Sequence, residues 1–288
     1  MTDLGETRIG PRTFRWGERT FVMGILNATP DSFSGDGLFV PGPGDRAPGD
    51  PVADAVARAL AMADEGADLL DLGGESTRPG HAEIAEEEEL RRVVPIVRAV
   101  RGALPGMPLT IDTTKPTVAA AALDAGADAI NDIWGVSTDD GLARLAAARG
   151  VPLILMHNRA EPAYEEVISE VVAELRAALD RAAAAGVAPE QTLVDPGIGF
   201  GKTAEQNLIL LRGLAALCEL GRPIMLGTSR KSTIGKVLDL PGDERVEGTL
   251  ATTALGIAAG VDIVRVHDVR ENVRAARMAD AIVRGWSA

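Results

Sequence analysis

Eight short apolar runs, each closed by a polar residue and parted from the next by a helical stretch, leave this chain few ways to fold. The first four are Val22–Leu26 before Asn27, Leu69–Leu70 before Asp71, Leu109–Ile111 before Asp112 and Ala129–Ile130 before Asn131. Leu153–Met156 precedes His157, and Leu193–Val194 precedes Asp195. Ile224–Leu226 leads into Gly227-Thr228-Ser229-Arg230-Lys231, and Ile263–Val264 into Arg265-Val266-His267. Ile, Val and Leu dominate without strict alternation, which is how strands covered on both faces read. Between them lie Val52–Glu65, Glu86–Ala103, Pro116–Ala125, Asp139–Arg149, Glu165–Ala185, Ala204–Leu220, Arg245–Ala259 and Glu271–Arg284, all rich in good helix formers. An internal echo supports the division. Gly66-Ala-Asp, Gly126-Ala-Asp and Gly260-Val-Asp each join a helix end to the next apolar run.

Strand–helix units at roughly 30–40-residue spacing predict a single (β/α)8 TIM barrel, a fold of about 250 residues. One domain then spans residues 1–288. A doubly wound sheet would want G-x-G-x-x-G at the first helix, and none is present. Thr13–Trp16 and Thr20–Met23, flanking Gly17, predict a β-hairpin in the 1–20 region that closes the bottom of the barrel and feeds its first strand. The acidic run Glu86–Glu89 reads as a solvated first helical turn, favoured there by the helix dipole.

The totals exclude several classes of function. A net charge of −13 argues against nucleic acid and against an anionic membrane as partners. No apolar run approaches the roughly 20 residues of a membrane-spanning helix, and Met1–Gly10 lacks the apolar core of a secretory signal. A cytoplasmic enzyme is the expectation. Cys218 is the only cysteine, so no internal disulfide can form. His81, His157 and His267 show no zinc-hydrolase spacing.

In a barrel the polar strand tips converge on one mouth. Asn27, Asp112, Asn131 and Asp195 then supply carboxylates and amides, which accept paired N–H donors from a flat heterocycle. Lys231, Arg265 and His267 bring positive charge after the seventh and eighth core strands, the usual phosphate corner of this fold. A ligand with an N–H-rich ring at one end and a phosphate or diphosphate at the other fits that pattern. Asp71 reads equally well as a turn residue before a helix, and a lone His157 as a core histidine. Two loops, 29–51 and 76–81, are long and rich in Pro and Gly, as mobile active-site loops are.

Eight motifs carry a resemblance. Gly24-Ile-Leu-Asn-Ala-Thr-Pro-Asp-Ser-Phe-Ser, Gly73-Gly-Glu-Ser-Thr-Arg-Pro-Gly, Ile111-Asp-Thr, Asn131-Asp and Met156-His come first in order. Asp195-Pro-Gly-Ile-Gly-Phe-Gly-Lys, Ser229-Arg-Lys-Ser and Arg265-Val-His-Asp-Val complete the set. Together, from about Phe21 onward, they resemble the dihydropteroate synthases. That family joins 6-hydroxymethyl-7,8-dihydropterin diphosphate to 4-aminobenzoate and releases pyrophosphate. The resemblance implies that Asp112, Asn131, Met156, Asp195, Phe200, Gly227 and Lys231 bind the pterin, and that Asn27, Arg265 and His267 bind the diphosphate. It also implies Mg²⁺ at Asn27, and an aminobenzoate pocket of Phe33, Thr77, Arg78, Pro79, Phe200, Lys231 and Ser232. Lys231, Arg265, Asp112 and Asp195 would carry catalysis. One departure is visible: the family's Ser-Asp-Gly-Gly in the first loop is here Ser34-Gly35-Asp36-Gly37. A pterin-dependent methyltransferase domain or a non-catalytic pterin-binding paralogue is the rival reading. The uncharged stretch Gly248–Gly260 lacks a polar face, which predicts a homodimer through that helix and its neighbour, as the resemblance also implies.

Overall fold

The structure is a computed structural model, and it describes residues 4–28, 50–75, 84–136 and 139–286. A hairpin of β1 (Glu6–Ile9) and β2 (Arg12–Arg15) comes first. Eight strand–helix steps follow: β3 (Phe21–Asn27), α1 (Pro51–Glu65), β4 (Leu69–Gly73), α2 (Glu86–Ala103), β5 (Leu109–Asp112), α3 (Pro116–Ala125), β6 (Ala129–Asp132) and α4 (Gly141–Arg149) make up the first half. The second half is β7 (Leu153–Met156), α5 (Val167–Ala184), β8 (Thr192–Asp195), α6 (Ala204–Arg212), β9 (Met225–Leu226), α7 (Ser232–Leu238), α8 (Val246–Ala258), β10 (Ile263–Val266) and α9 (Val269–Val283). All pairings from β3 to β10 are parallel, in the order β8-β7-β6-β5-β4-β3-β10-β9. A parallel bridge from Val194 to Ile224 joins the two ends of that order and closes the barrel.

Successive residues of a strand point to opposite faces, and the registers carry that alternation unbroken from strand to strand. One set packs outward under the helices: Val22, Leu70, Leu109, Ile130, Leu153, Val194, Ile224 and Val264 belong to one large core. The other set fills the barrel. Its lower level is apolar, with Phe21, Met23, Leu69, Ala129, Ile154, Leu193, Met225 and Ile263 in a second core. Two residues further along the same faces stand Asp71, Asn131, Met156, Asp195 and Arg265, with Asp112 two beyond the buried Thr110. The period of two therefore stacks a polar level directly on an apolar one, inside a single set of strands.

The hairpin does close the bottom: Ile9, Phe14 and Trp16 complete that second core. Phe14 and Phe21 meet edge to face at 4.8 Å between ring centroids, and Trp16 meets Phe21 at 5.5 Å. The buried indole N–H of Trp16 donates to Thr7 Oγ1 (2.9 Å), whose hydroxyl donates to the Glu190 carbonyl (2.7 Å), so the plug brings in no orphaned polar group. Its strands are not those expected. Arg12–Arg15 pairs backwards onto Glu6–Ile9, through a turn at Gly10-Pro11, because Phe21–Met23 is taken up as the start of β3.

The internal echo has a structural cause. Asp68, Asp128 and Asp262 each accept a backbone N–H at or beside the start of a neighbouring strand: Val22 (2.9 Å), Leu109 (2.9 Å) and Ile224 (3.0 Å) respectively. Three further expectations need correction. The stretch 204–220 is not one helix; α6 ends at Gly213, beside the Ile168 side chain, and Leu214–Leu220 continues as a 3₁₀ helix. Helix α7 was not expected, since it is one short piece carrying Gly235 directly after a strand tip. Glu89 is fully buried rather than solvated, accepting from Thr113 Oγ1 and Lys115 Nζ (both 2.7 Å).

Candidate active site

The polar level of the barrel ends in a mouth formed by the strand C-termini. Asp112 ends β5, Asn131 lies in β6, Asp195 ends β8, and all three are buried. Met156 ends β7 on the same inward face and is also buried. Arg265 lies in β10 and reaches across the mouth. Its Nε donates to Asp71 Oδ2 (2.6 Å) and its Nη2 to Asp112 Oδ2 (2.9 Å). Asn131 Nδ2 donates to the same Asp71 oxygen (3.1 Å), and Thr110 Oγ1 donates to the other one.

After these bonds two buried oxygens, Asp112 Oδ1 and Asn131 Oδ1, have no partner among the described residues. A buried acceptor left unpaired costs about 1–3 kcal/mol, so in a native protein it marks a place where something else donates. Asp195 is a third acceptor in the mouth: its Oδ1 takes the Gly197 N–H (2.7 Å) and its Oδ2 faces Gly227. A Cβ added at Gly227 would sit 3.8 Å from both that oxygen and Lys231 Nζ, so glycine there keeps the gap between them open.

Burial, the largest influence, pushes the Asp112 carboxyl up to about 7; Arg265 opposes that and Asp71 adds to it. Burial likewise pushes Asp195 up, with Lys231 opposing. Lys231 is brought down to about 8 by desolvation, against the pull of Asp195. Desolvation also works against the Arg265 charge, but Asp71 and Asp112 outweigh it and hold the guanidinium firmly protonated. The mouth thus contains acids and a base whose ordinary values have been drawn together toward neutrality, as happens at functional sites.

The loop after β8 forms one wall. It threads Pro196 to Gly201 against the segment after β7 so tightly that a Cβ at Gly197 would overlap the His157 carbonyl oxygen. A Cβ at Gly201 would overlap that of Arg159, and both glycines have positive φ, 66° and 55°. Lys231 Nζ donates to the Ile198 carbonyl and lies 4.6 Å from the centre of the Phe200 ring, which assembles a cation, an aromatic face and Asp195 side by side. Ser232 opens α7 next to them and is exposed. Asn27 ends β3, and His267 follows β10 with Nδ1 2.9 Å from Ser229 Oγ.

His157 is a packing residue. Its Nε2 meets Glu174 (3.0 Å) and its Nδ1 meets Lys202 Nζ (2.9 Å); burial and then Lys202 bring its pKa down to about 4. The neutral ring therefore donates to Glu174 and accepts from Lys202. Lys202 also donates to the Gly197 and Phe200 carbonyls (both 3.0 Å), stapling the loop whose last position it follows. Sequence reasoning gave Lys202 no role, although it closes the Asp195-Pro-Gly-Ile-Gly-Phe-Gly-Lys motif. Nor is Asp71 a turn residue: it is inside β4 and fully buried. The charge run in α2 was a clue missed for Glu89, which with Glu75 holds Lys115 behind the mouth. Phe33, Thr77, Arg78 and Pro79, with Asp36, lie outside the described residues. Of the loops at 29–51 and 76–81, only Asp50 and Pro51 are described, and they begin α1: Asp50 Oδ1 accepts the Val52 N–H (3.0 Å).

Known proteins of similar sequence and fold point to one family. The family model described as pterin binding enzyme matches residues 23–267. The dihydropteroate synthase of Clostridium beijerinckii is 50% identical over 278 residues, covering 96% of this chain and 99% of its own. The solved Xanthomonas albilineans dihydropteroate synthase with 4-aminobenzoic acid is 40% identical, with a TM-score of 0.88 over 96% of this chain and 97% of that one. The same organism's enzyme in complex with 7,8-dihydropteroate is 39% identical, with a TM-score of 0.85 over 96% and 98%. The chain belongs to the dihydropteroate synthase family of pterin binding enzymes.

Proposed function

We infer that this chain is a dihydropteroate synthase, joining 6-hydroxymethyl-7,8-dihydropterin diphosphate to 4-aminobenzoate with loss of pyrophosphate. One observation carries the reading: the two unpartnered buried oxygens of Asp112 and Asn131, beside Asp195, form a row of acceptors suited to the N–H edge of a pterin. That site has the donor–acceptor polarity a pterin requires, and a phosphate cannot use it. Lys231 and Phe200 then border the ring, with Met156 and Gly227 shaping its floor. Arg265 and His267, at the β10 end, stand toward the diphosphate. Phe200, Lys231 and Ser232 are the described part of the aminobenzoate wall; Phe33, Thr77, Arg78 and Pro79 are assigned to it by the family pattern alone.

Chemically, the chain has three tasks. Fixed cations stabilise charge developing on the departing diphosphate. A buried mouth keeps water from the electron-deficient methylene left on the dihydropterin, so an SN1-like path is served. The arylamine of 4-aminobenzoate is neutral and nucleophilic near pH 7, so no strong general base is needed. The family pattern alone assigns Mg²⁺ to Asn27, whose side-chain amide would offer one hard oxygen. Among the described residues no cluster of acids, histidines or cysteines is placed to cage a cation, and Mg²⁺ is commonly held by one or two protein oxygens plus substrate phosphates. When bound it would neutralise charge on the diphosphate. The rival methyltransferase reading would leave Lys231 beside Phe200 without a task. No helix among the described residues is long and apolar enough to cross a membrane.

The test is product formation. Purified protein with Mg²⁺, the pterin diphosphate and labelled 4-aminobenzoate should yield dihydropteroate and pyrophosphate, and Asp112→Asn should lose most of that activity. Tight pterin binding without product would instead identify a non-catalytic paralogue. The pH dependence is a second expected result. The carboxylate of Asp112 forms as pH rises through about 7, and the Lys231 ammonium is lost as pH rises through about 8. The profile of kcat/KM for the pterin diphosphate should therefore be a bell with its top between those values, its limbs belonging to the coupled groups together. The acid limb should vanish in Asp112→Asn.

A homodimer through α8 is also proposed. The face of α8 away from the barrel carries Ala251, Ala254, Leu255 and Ala258, and Leu255 is 70% exposed. Val237 of α7 is 59% exposed, and a hollow of about 190 Å³ runs from it to Lys231 and Ile198, so this face adjoins the candidate site. Apolar surface of this kind marks an interface. Sedimentation at micromolar protein should show twice the chain mass, and Leu255→Glu should halve it. A wild-type protein sedimenting as a single chain would remove the dimer.

A further inference from the structure

We propose that Asp71 is a positioning residue that aims both orphaned acceptors of the mouth, and so decides which heterocycle edge the barrel accepts; this rests on the pterin reading above.

The geometry behind it is a branched tether. Asp71 stands two residues beyond Leu69 on the inward face of β4, fully enclosed, below the mouth. Three donors converge on its two oxygens. Thr110 Oγ1 holds Oδ1, while Asn131 Nδ2 and Arg265 Nε share Oδ2. Each of the last two bonds fixes an orientation further up. An Asn side chain has one donor end and one acceptor end. With Nδ2 bound to a carboxylate that can only accept, Oδ1 must turn the other way, toward the mouth, where it is unpartnered among the described residues. Arg265, tied by Nε to Asp71, presents Nη2 to Asp112 Oδ2 and leaves Asp112 Oδ1 as the second unpartnered acceptor among the described residues. One carboxylate out of reach of the ligand thus sets the sign of two groups that touch it. Without it, nothing else in the bonding pattern makes Asn131 present oxygen rather than nitrogen.

Substrate class follows from this. A row of acceptors accepts a ring edge bearing an amino group and a ring N–H, as in a 2-amino-4-oxo pterin. It repels the 2-oxo counterpart, whose carbonyl would face carboxylate and amide oxygens. Sites built from fixed hydrogen-bonding groups discriminate strongly because a mismatch leaves buried groups unpaired.

The test is calorimetric, with 6-hydroxymethylpterin and its 2-oxo analogue as probes and neither diphosphate nor aminobenzoate present. Wild type should favour the amino compound by at least about tenfold. Asp71→Leu, branched at the same carbon and without acceptors, frees the Asn131 amide to turn over, and the preference should narrow about tenfold. Asp71→Asn should restore it: its oxygen can take the place of Oδ2, and its NH₂ can donate to Thr110 Oγ1, which accepts as readily as it donates. If Asp71→Leu does not fold, Asp71→Ser is read in the same way: its hydroxyl donates as readily as it accepts, so it no longer dictates which end of the Asn131 amide faces it, and Arg265 is left in place. An unchanged preference in a folded Leu variant would overturn the proposal, and so would an equal loss of affinity for both probes, which is the mark of mere packing. Failure of the wild type to bind either probe would instead sink the pterin reading itself.

Discussion

Lys231→Met should leave the barrel folded and lower kcat/KM by about 10²–10³-fold, the usual cost of removing one fixed charge-stabilising donor. Methionine keeps much of the length and volume, so the change isolates the charge. What disappears is a cation held at three points. It is bonded to the Ile198 carbonyl, faces the Phe200 ring at 4.6 Å, and is drawn toward Asp195. Desolvation has already lowered its pKa to about 8, so the ammonium is kept in a place that disfavours it, and the cost of keeping it there points to use. Lys231→Arg should not rescue, because a planar fork cannot replace a point charge between an aromatic face and a backbone carbonyl. Steady-state kinetics with each substrate varied in turn, beside circular dichroism, settles the matter: a fall of less than threefold would take Lys231 out of the machinery.

Gly197→Ala should be nearly as damaging, through the backbone. Gly197 has φ of 66°, a conformation costing other residues about 1–2 kcal/mol. Beyond that, the new methyl would overlap the His157 carbonyl oxygen, which belongs to main chain and cannot swing aside. The loop must therefore move, and with it the Ile198 carbonyl that holds Lys231 and the Phe200 ring beneath it. A misplacement of about 1 Å in such a wall costs on the order of 10²-fold in rate. A lower melting temperature and a drop in kcat should appear together. Gly221→Ala is the control: its φ is 61°, so the strain is shared, but nothing lies within 4 Å of the added methyl and the position is far from the mouth. Equal losses at both positions would show that strain alone, and not the close approach, accounts for the effect.

The barrel was legible because its strands are short, apolar on both faces and punctuated by polar tips. Asp112, Asn131 and Asp195 were readable as a set because each closes such a run. What failed to show was whatever depends on partners far along the chain. Asp71 resembles a turn residue until β5, β6 and β10 bring it Thr110, Asn131 and Arg265. Glu89 looks like one more solvated acid in a run of four until Thr113 and Lys115 cover it. Lys202 is a cation in a glycine-rich loop until the carbonyls of Gly197 and Phe200 wrap round it. The hairpin was misplaced by one strand because the turn at Gly10-Pro11 is as good a signal as Gly17, and only the claim of β10 on residues from Phe21 onward decides between them.

The plug at the bottom of the barrel has a consequence for how the molecule is made. Ile9, Phe14 and Trp16 leave a ribosome roughly 200 or more residues before Met225 and Ile263, which form part of their seat. At the usual 5–20 residues per second, these apolar groups wait roughly 10–50 s for the last wall of their socket. During that interval they are sticky surface, and contacts so distant in the chain are slow to form even afterwards. Assembly should therefore finish at the start of the chain, with the N-terminal hairpin docking as the final stopper. The nascent chain is at its greatest risk of aggregation, and most in need of a chaperone, just before Ile263 emerges.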